Sequence, residues 1–373
     1  MLVLVTDGED RAALAACRGL WRAGHTVAVA AGRRPAPAHA SRTCAARLAV
    51  PTSLDPEEFV SGLAAATRRT SFDALLPTTD AALLAISRFR KRLPHPLLEW
   101  LPPESVVSRS LQKASLLEEA ADAGFAVLET TQCHDPEQAR ALGFPVVVKP
   151  AQSIVGNRRE AARVVSDAAE LDAALAALGT PVLVQRFYDG APVLSLGGVA
   201  WNGKLVALAA SRWARRWPPA DGAASFAETV VPPREIVERA EALVAALGWQ
   251  GIFELELLRL GERTFAPVDF NPRPFGWMTL AVRAGANLPA VWAKCVRGAD
   301  PAPLVVARTG IRYRWEDGDA KHLLWQLRRR RLRAAGAVLA PRRCVAHAYF
   351  EARDPLPLGA AVWREVRRLT RRE

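Results

Sequence analysis

Four polar residues in the second half of the chain have the types and spacing of a site for a divalent cation. Glu254 and Glu256 lie two residues apart in the apolar run GIFELELLRL. Asp269 and Asn271 lie two residues apart in the later run TFAPVDFNP. Side chains alternate along a β-strand, so each pair shares one face of its strand. Carboxylate and amide oxygens suit Mg²⁺ held with nucleotide phosphates, and the predicted metal ligands are Glu256, Asp269 and Asn271.

Arg273 lies two residues after Asn271, so its cationic side chain is expected on the same face of the strand. A planar guanidinium can bind a phosphoryl or carboxylate group through two parallel hydrogen bonds. Asn271 and Arg273 are therefore the predicted catalytic residues. In the alternative interpretation, the two glutamates line a solvated strand face and the Asn-Pro pair only ends a strand.

A β-hairpin must bring the two polar pairs together. The run GIFELELLRL predicts one strand and TFAPVDFNP its return partner, connected across Gly261-Glu262-Arg263. Upstream, residues Ala191–Ala210 predict another hairpin, with Asn202-Gly203 as its tight turn. Helical patterns, such as Arg234–Leu247, are mixed with these antiparallel strands, so this half is predicted to be α+β.

The beginning of the chain has a different pattern. Residues 2–6 form an apolar run, residues Asp10–Ala23 have a helical pattern that ends at Gly24, and TVAVAA resumes as a second strand. The run ALLP at 74–77 predicts a further strand before another helix. Alternating strands and helices predict an α/β unit with a parallel sheet. The Pro-rich stretch Leu93–Pro103 indicates its boundary.

The length of 373 residues indicates two or three domains. The first residues lack the basic region of a signal peptide, and no apolar run approaches the roughly 18 residues that cross a bilayer. The five cysteines are scattered, without a pairing or zinc-binding pattern. These features predict a cytoplasmic globular protein.

Most of the net charge of +12 lies at the end of the chain, where residues 321–373 hold 14 Lys or Arg against 4 Asp or Glu, a net of +10. Within it, 322–333 and 361–372 predict amphipathic helices. Such a segment could bind an acidic partner, an anionic membrane surface or nucleic acid, the last being the least favoured. Only six of the 50 basic residues are Lys, so a general preference for Arg on a solvated surface is the simpler interpretation.

Two motifs that bind nucleotides in other proteins are absent or incomplete in this sequence. The first strand-to-helix turn, Thr6–Asp10, lacks the G-x-G-x-x-G pattern of dinucleotide-binding folds. Residues Gly198–Lys204 spell most of a P-loop, but Leu205 replaces the hydroxyl residue and the second glycine falls in a predicted hairpin turn.

The segment Asp269–Gly276, with Glu256, resembles the metal-binding hairpin of the ATP-grasp superfamily, although that hairpin usually has Glu where Asp269 stands. Upstream segments that resemble its two ATP lysines, its phosphate-covering loop and its adenine hinge occur in the expected order. The resemblance implies that ATP is bound with Mg²⁺ (or Mn²⁺) by Lys113, Lys149, Ser153, Gly156, Gln185, Arg186, Phe187 and Tyr188.

The resemblance also implies the domain organisation. A Rossmann-like domain at 1–105 would precede the ATP-grasp fold, whose two α+β parts at 106–190 and 191–305 clamp ATP. Residues 306–373 would form a basic C-terminal extension.

The activity that the resemblance implies is ligation: ATP activates a carboxylate as an acyl phosphate, and an amine then displaces phosphate to form an amide. The alternatives are a carboxylase that uses bicarbonate and a degenerate domain that only binds a partner. Pro192 and Gln185 stand where relatives often have glutamates, and the loop at 153–157 has one glycine, which puts nucleotide affinity in doubt. The segment Arg212–Trp217 could supply a further Arg to the site or form a surface loop.

Overall fold

A computed structural model describes the chain except for residues 33–34, 134–135, 152–153, 156–157, 161, 179–181, 300–302, 344 and 371–373. Within the described ranges the strands form four sheets. The chain combines a parallel sheet with antiparallel and mixed sheets, as the sequence predicts.

The N-terminal unit is a parallel four-stranded sheet in the order β3-β2-β1-β4. Its elements are β1 (Leu2–Val5), α1 (Arg11–Arg22), β2 (Thr26–Ala31), α2 (Pro37–Ala40), β3 (Cys44–Ala49), α3 (Pro56–Arg69), β4 (Ala74–Leu76) and α4 (Asp80–Arg88). Asp10 caps α1 by accepting a hydrogen bond from the Ala12 amide. The predicted βαβ opening is confirmed. The Pro-rich stretch after α4 buries Leu97 and Trp100 in the core, so it packs as part of this unit.

The next unit is an antiparallel sheet in the order β5-β10-β6-β9, with a separate two-stranded ribbon β7-β8. Two helices precede this unit and pack on other parts of the chain, α5 (Glu104–Leu111) and α6 (Lys113–Asp122). The elements of the unit are β5 (Thr130–Cys133), α7 (Pro136–Arg140), β6 (Val146–Pro150), β7 (Ile154–Val155), β8 (Arg158–Arg159), β9 (Arg163–Val165), α8 (Ala168–Leu178) and β10 (Val182–Arg186). Valines 146, 148, 182 and 184 pack with α8 into a small core separate from the main one.

Although residues 108–123 have a helical pattern in the sequence, they do not form one continuous helix. The chain breaks at Gln112, whose backbone is extended, and a new helix begins at Lys113. The Lys113 amide donates to the Ala151 carbonyl, so this backbone group is committed to a neighbouring segment. The break places Lys113 in the first turn of α6.

The largest sheet of the described part has eight strands, in the order β15-β14-β11-β12-β13-β17-β18, with β16 paired to β12. Its elements are β11 (Val193–Trp201), β12 (Lys204–Trp217), β13 (Ala223–Thr229), α9 (Arg234–Leu247), β14 (Gly251–Arg259), β15 (Phe265–Asn271), α10 (Met278–Arg283), α11 (Leu288–Val296), β16 (Val305–Val306), β17 (Arg312–Arg314), α12 (Glu316–Arg328), α13 (Leu332–Leu339), β18 (Val345–His347) and α14 (Leu356–Thr370). Asn202 and Gly203, with φ of 51° and 76°, form the predicted hairpin turn.

Two segments differ from expectation. Residues 212–217 continue β12 and pair with β13, so the surface-loop interpretation is wrong. The helix predicted over 322–333 is interrupted, because α12 ends at Arg328 and Arg330 adopts a positive φ of 56°.

The C-terminal residues are built into the main body. Strand β17 pairs with β13, and α14 packs on α2 of the N-terminal unit. Arg18 of α1 and Asp354 form a buried ion pair at 2.9 Å. No helix of the described residues is long and apolar enough to cross a membrane. The division at residues 105, 190 and 305 stays a prediction.

Candidate functional site

The hairpin β14–β15 brings the four polar residues of the sequence pattern together. Glu254 lies opposite Asn271 and Glu256 lies opposite Asp269 in the antiparallel register. Glu254 is 4% exposed and accepts hydrogen bonds from Ser195 Oγ at 2.9 Å and from Asn271 Nδ2 at 3.1 Å. The predicted convergence of these side chains therefore occurs, on the face that lines a cleft.

Burial disfavours negative charge on the carboxyl groups of this face. Burial raises the pKa of Glu254 to about 7. Burial, together with the neighbouring Glu254 and Asp269 carboxylates, raises the pKa of Glu256 well above its ordinary value. A bound divalent cation favours the ionised form of such groups. The chemistry of these side chains therefore suits a divalent metal ion.

This set is not a complete metal cage. Among the described residues, no group of three or more His, Cys, Asp or Glu side chains could hold a metal ion. The predicted ligands are two carboxylates and one amide, which leaves coordination positions for phosphate oxygens and water. This is the usual way in which proteins bind Mg²⁺ with a nucleotide.

The two predicted ATP lysines point into the same cleft. Lys113 Nζ lies 3.1 Å from Asp269 Oδ1. Lys149 Nζ donates to Gln185 Oε1 at 2.8 Å and to the Val268 carbonyl at 3.2 Å. Burial and the nearby Lys113 lower the pKa of Lys149 to about 8. An anionic ligand in the cleft would favour the charged form of Lys149.

The predicted hinge lines this cleft with all four of its residues, Gln185, Arg186, Phe187 and Tyr188. Gln185 is 4% exposed and its Nε2 donates to Thr130 Oγ1 at 2.9 Å. The amides of Arg186 and Phe187 donate to the carbonyls of Glu129 and Pro145. Because these two amides already donate hydrogen bonds within the protein, an adenine base would have to bind other backbone groups of the hinge. The predicted Ser153 and Gly156 lie outside the described residues.

Arg273 is engaged by protein groups. Its Nε and Nη2 bind the Asp80 carboxylate at 2.6 and 3.1 Å, and Nη2 also donates to Asn271 Oδ1 at 2.8 Å. Although burial lowers the pKa of Arg273, Asp80 raises it above its ordinary value. The contact fixes the Asn271 amide and joins β15 to α4. Direct contact of Arg273 with a substrate stays a prediction.

The sequence did not single out Asp80 as a site residue. It follows β4 at the carboxyl edge of the parallel sheet, where ligands of α/β proteins bind. This position could have identified Asp80 as a site residue from the sequence.

Arg216 belongs to the segment 212–217, which the sequence left open between a site segment and a surface loop, and it lines the same cleft of about 390 Å³. Burial lowers the pKa of Arg216, while Glu256 and Asp221 favour its charged form.

A second cavity of about 320 Å³ adjoins the cleft and shares Asp10, Arg11 and Thr79 with it. It lies at the carboxyl ends of the parallel strands and includes Asp7. The Asp7 carboxylate accepts from Ser53 Oγ at 2.6 Å, and burial raises its pKa to about 6. The two cavities are therefore adjacent, with residues that line both, and the second cavity contains an acidic group.

The C-terminal residues close one side of this second cavity. Trp315, Tyr349 and Arg364 contribute to its lining. The Arg11 guanidinium stacks over the Trp315 ring, 3.8 Å from its centroid. The basic extension is thus part of the wall around the candidate site.

No family model matches the sequence. Solved structures do match it in fold. An L-amino acid ligase from Bacillus licheniformis has a TM-score of 0.59 at 16% identity, with 79% of this chain and 74% of that chain covered. An N5-carboxyaminoimidazole ribonucleotide synthetase from Thermus thermophilus has a TM-score of 0.61 at 16% identity, with 83% and 81% covered.

The biotin carboxylase domain of a 2-oxoglutarate carboxylase from Hydrogenobacter thermophilus has a TM-score of 0.64 at 12% identity. The match covers 83% of this chain and 73% of that chain, whose structure was solved with MgADP, ADP and bicarbonate. At these identities the likeness establishes the architecture. The chain described here therefore has the ATP-grasp fold.

Proposed function

We propose that the chain is a Mg²⁺-ATP-dependent ligase that activates a carboxylate as an acyl phosphate and joins it to an amine. One observation carries the proposal. Lys113 and Lys149 face Glu256, Asp269 and Asn271 across one buried cleft of a fold that this chain shares with ATP-dependent ligases. The composition of this cleft suits a triphosphate with a divalent cation.

Each side chain has a separate role in this proposal. Glu256, Asp269 and Asn271 would hold Mg²⁺, which neutralises the charge of the phosphates during transfer. Lys113 and Lys149 would bind the α- and β-phosphates. Arg273 orients Asn271 through its contact with Asp80. Since phosphoryl transfer requires no protein nucleophile, positioning and electrostatic stabilisation supply the catalysis.

The reaction has two steps. A carboxylate oxygen attacks the γ-phosphorus, and the bond between that phosphorus and the bridging oxygen breaks, which releases ADP. The amine nitrogen then attacks the acyl carbon, and inorganic phosphate leaves as the amine loses a proton. Arg216 is suited to bind the carboxylate, since its guanidinium lies in the cleft near the metal hairpin.

The adjoining cavity is suited to bind the amine. Its acidic wall at Asp7 favours an ammonium group, and a carboxylate with a pKa of about 6 can accept the proton that the amine releases. The cavity adjoins the cleft and shares lining residues with it, which places a bound amine next to the site of the acyl phosphate in this proposal. Asp7 is thus the proposed base of the second step.

A carboxylase that uses bicarbonate as the acid is the second candidate. The observation in its favour is the likeness to the biotin carboxylase domain, which was solved with bicarbonate. Bicarbonate belongs in any screen of acids for this reason.

The proposed function can be tested by measuring ADP release with pairs of carboxylates, bicarbonate included, and amines. We expect release that requires both partners, with ¹⁸O passing from the labelled carboxylate into inorganic phosphate. Arg216→Met should raise the KM for the acid by about tenfold or more, the scale of one charge-assisted contact. The control is Arg212→Met, an exposed arginine of the same strand. Release without transfer of ¹⁸O would contradict acyl phosphate formation.

Lys149 should take up a proton when a nucleotide binds near pH 8. Burial lowers its pKa to about 8 in the free protein, and phosphate oxygens favour the ammonium form, so part of the population gains a proton on binding. Calorimetry in buffers of different ionisation enthalpy measures this uptake. It should fade below about pH 6.5, where Lys149 is already charged, and be absent in Lys149→Met. The same uptake in that variant would rule out Lys149 as its source.

A further inference from the structure

The C-terminal part of α12, the turn after it, helix α13 and the residues that follow form a surface that we call the basic hairpin, residues 320–343, which leaves out the acidic first turn of α12 (Glu316, Asp317 and Asp319). It holds eight cationic residues and no acidic one. Lys321 is paired with Glu365 of α14 at 2.9 Å. The other seven are exposed: Arg328, Arg329, Arg330, Arg331, Arg333, Arg342 and Arg343.

The amphipathicity of α12 is reversed relative to a helix that packs on a protein core. Its buried side carries His322 and Gln326, and the His322 ring lies 3.2 Å from the Arg216 carbonyl. Its solvent side carries Leu324 and Leu327, which are 54% and 44% exposed. A surface helix ordinarily turns its leucines towards the core. Packing within the described chain therefore does not account for these leucines.

Helix α13 extends the same pattern. It buries Ala335 and Val338, whereas Leu332 and Leu339 are 71% and 68% exposed. These two leucines are seven residues apart and so share one face of the helix. The hairpin thus presents large aliphatic side chains among arginines on both of its helices.

An aromatic ring lies at the turn between the helices. The Trp325 ring is half-buried, and the guanidinium groups of Arg329 and Arg331 lie 4.6 and 5.5 Å from its centroid. Tryptophan is enriched where proteins meet the headgroup layer of a membrane. The ring also holds the two cations at the tip of the hairpin.

We propose that the basic hairpin docks the protein on an anionic membrane surface. Arginines without neighbouring acids are attracted to anionic headgroups. Exposed leucines gain by entering the boundary between headgroups and acyl chains. Nucleic acid offers the same charge but no apolar layer for four leucines, so the membrane is the occupant that uses both features. This proposal is independent of the ligase activity.

The test is sedimentation of the purified protein with vesicles of phosphatidylcholine alone or with about 30% phosphatidylserine. We expect the anionic vesicles to bind at least tenfold more protein, and this excess to fall steeply between about 0.05 and 0.5 M NaCl. Arg328→Gln/Arg333→Gln should weaken binding by about fivefold for each removed charge. Leu324→Ser/Leu332→Ser should weaken it by tenfold or more, since buried apolar surface is lost.

The matched control is Val231→Ser/Arg234→Gln, two exposed residues on another part of the surface. It should bind vesicles as the unaltered protein does, and thermal melts should show that all variants are folded. Equal sedimentation with both vesicle types would overturn the proposal. So would binding that depends on the arginines alone, with leucine variants unchanged and tight binding to duplex DNA. Neither result bears on ADP release.

Discussion

Glu256→Gln is expected to reduce ATP turnover by about 10²–10³-fold, the loss typical of one electrostatic contact to a transition state. The same change should raise the melting temperature of the ligand-free protein by about 2–4 °C. Burial, Glu254 and Asp269 all disfavour the ionised Glu256 carboxylate. A neutral side chain of the same shape therefore removes an unfavourable energy from the ligand-free protein. Function and stability should therefore change in opposite directions.

The control for this experiment is Glu262→Gln, an exposed glutamate in the turn of the same hairpin. It should change neither turnover nor melting temperature. Turnover is measured as ADP release, and melting by fluorimetry without nucleotide or metal. A Glu256→Gln protein that melts lower and turns over ATP normally would show that the residue is structural.

Arg273→Gln is expected to destabilise the protein by about 3–5 kcal/mol, because it removes the guanidinium that is paired with the Asp80 carboxylate in a buried site. The two side chains are 10% and 6% exposed, so water cannot replace the lost contact. For a chain of this length the melting temperature should fall by about 5 °C. Turnover should fall as well, since Asn271 loses the donor that fixes its carbonyl oxygen.

A double-mutant cycle separates these effects. Asp80→Asn/Arg273→Gln removes both charges, so its loss of stability should be smaller than the sum of the two single losses. Turnover should stay low in the double variant, because the contact with Asn271 is still missing. Additive losses of stability would contradict a direct pair between the two residues.

The hairpin β14–β15 and the shared face of its polar residues were predictable from the sequence, because they depend on residues close together in the chain. A side-chain period of two places Glu254 beside Glu256 and Asp269 beside Asn271 on one face, and a short turn fixes the pairing. Lys113 and Lys149 were predicted from the resemblance to the ATP-grasp superfamily, and the scarcity of lysine in this chain supported them. Helix α9 and strands β14 and β15 lie where the periodicity predicts.

The missed features depend on contacts between distant residues. Asp80 and Arg273 are 193 residues apart, and no periodic pattern links them. The segment 212–217 reads as a loop because arginines interrupt it, yet hydrogen bonds to β13 hold it as a strand. The sequence pattern of α12 also predicts the wrong buried face, because its leucines face solvent and its polar residues are buried.

Calorimetric titration of the protein with ATP, with and without Mg²⁺, measures whether the carboxylates of the cleft hold a cation together with the nucleotide. We expect ATP to bind with Mg²⁺ and its affinity to fall by about tenfold or more without it, because the buried carboxylates need the cation beside a nucleotide. Asp269→Ala/Asn271→Ala should abolish the advantage of Mg²⁺, and ATP consumption should fall with it. Equal affinity with and without Mg²⁺, or undiminished ATP consumption by the double variant, would contradict the assignment of this site.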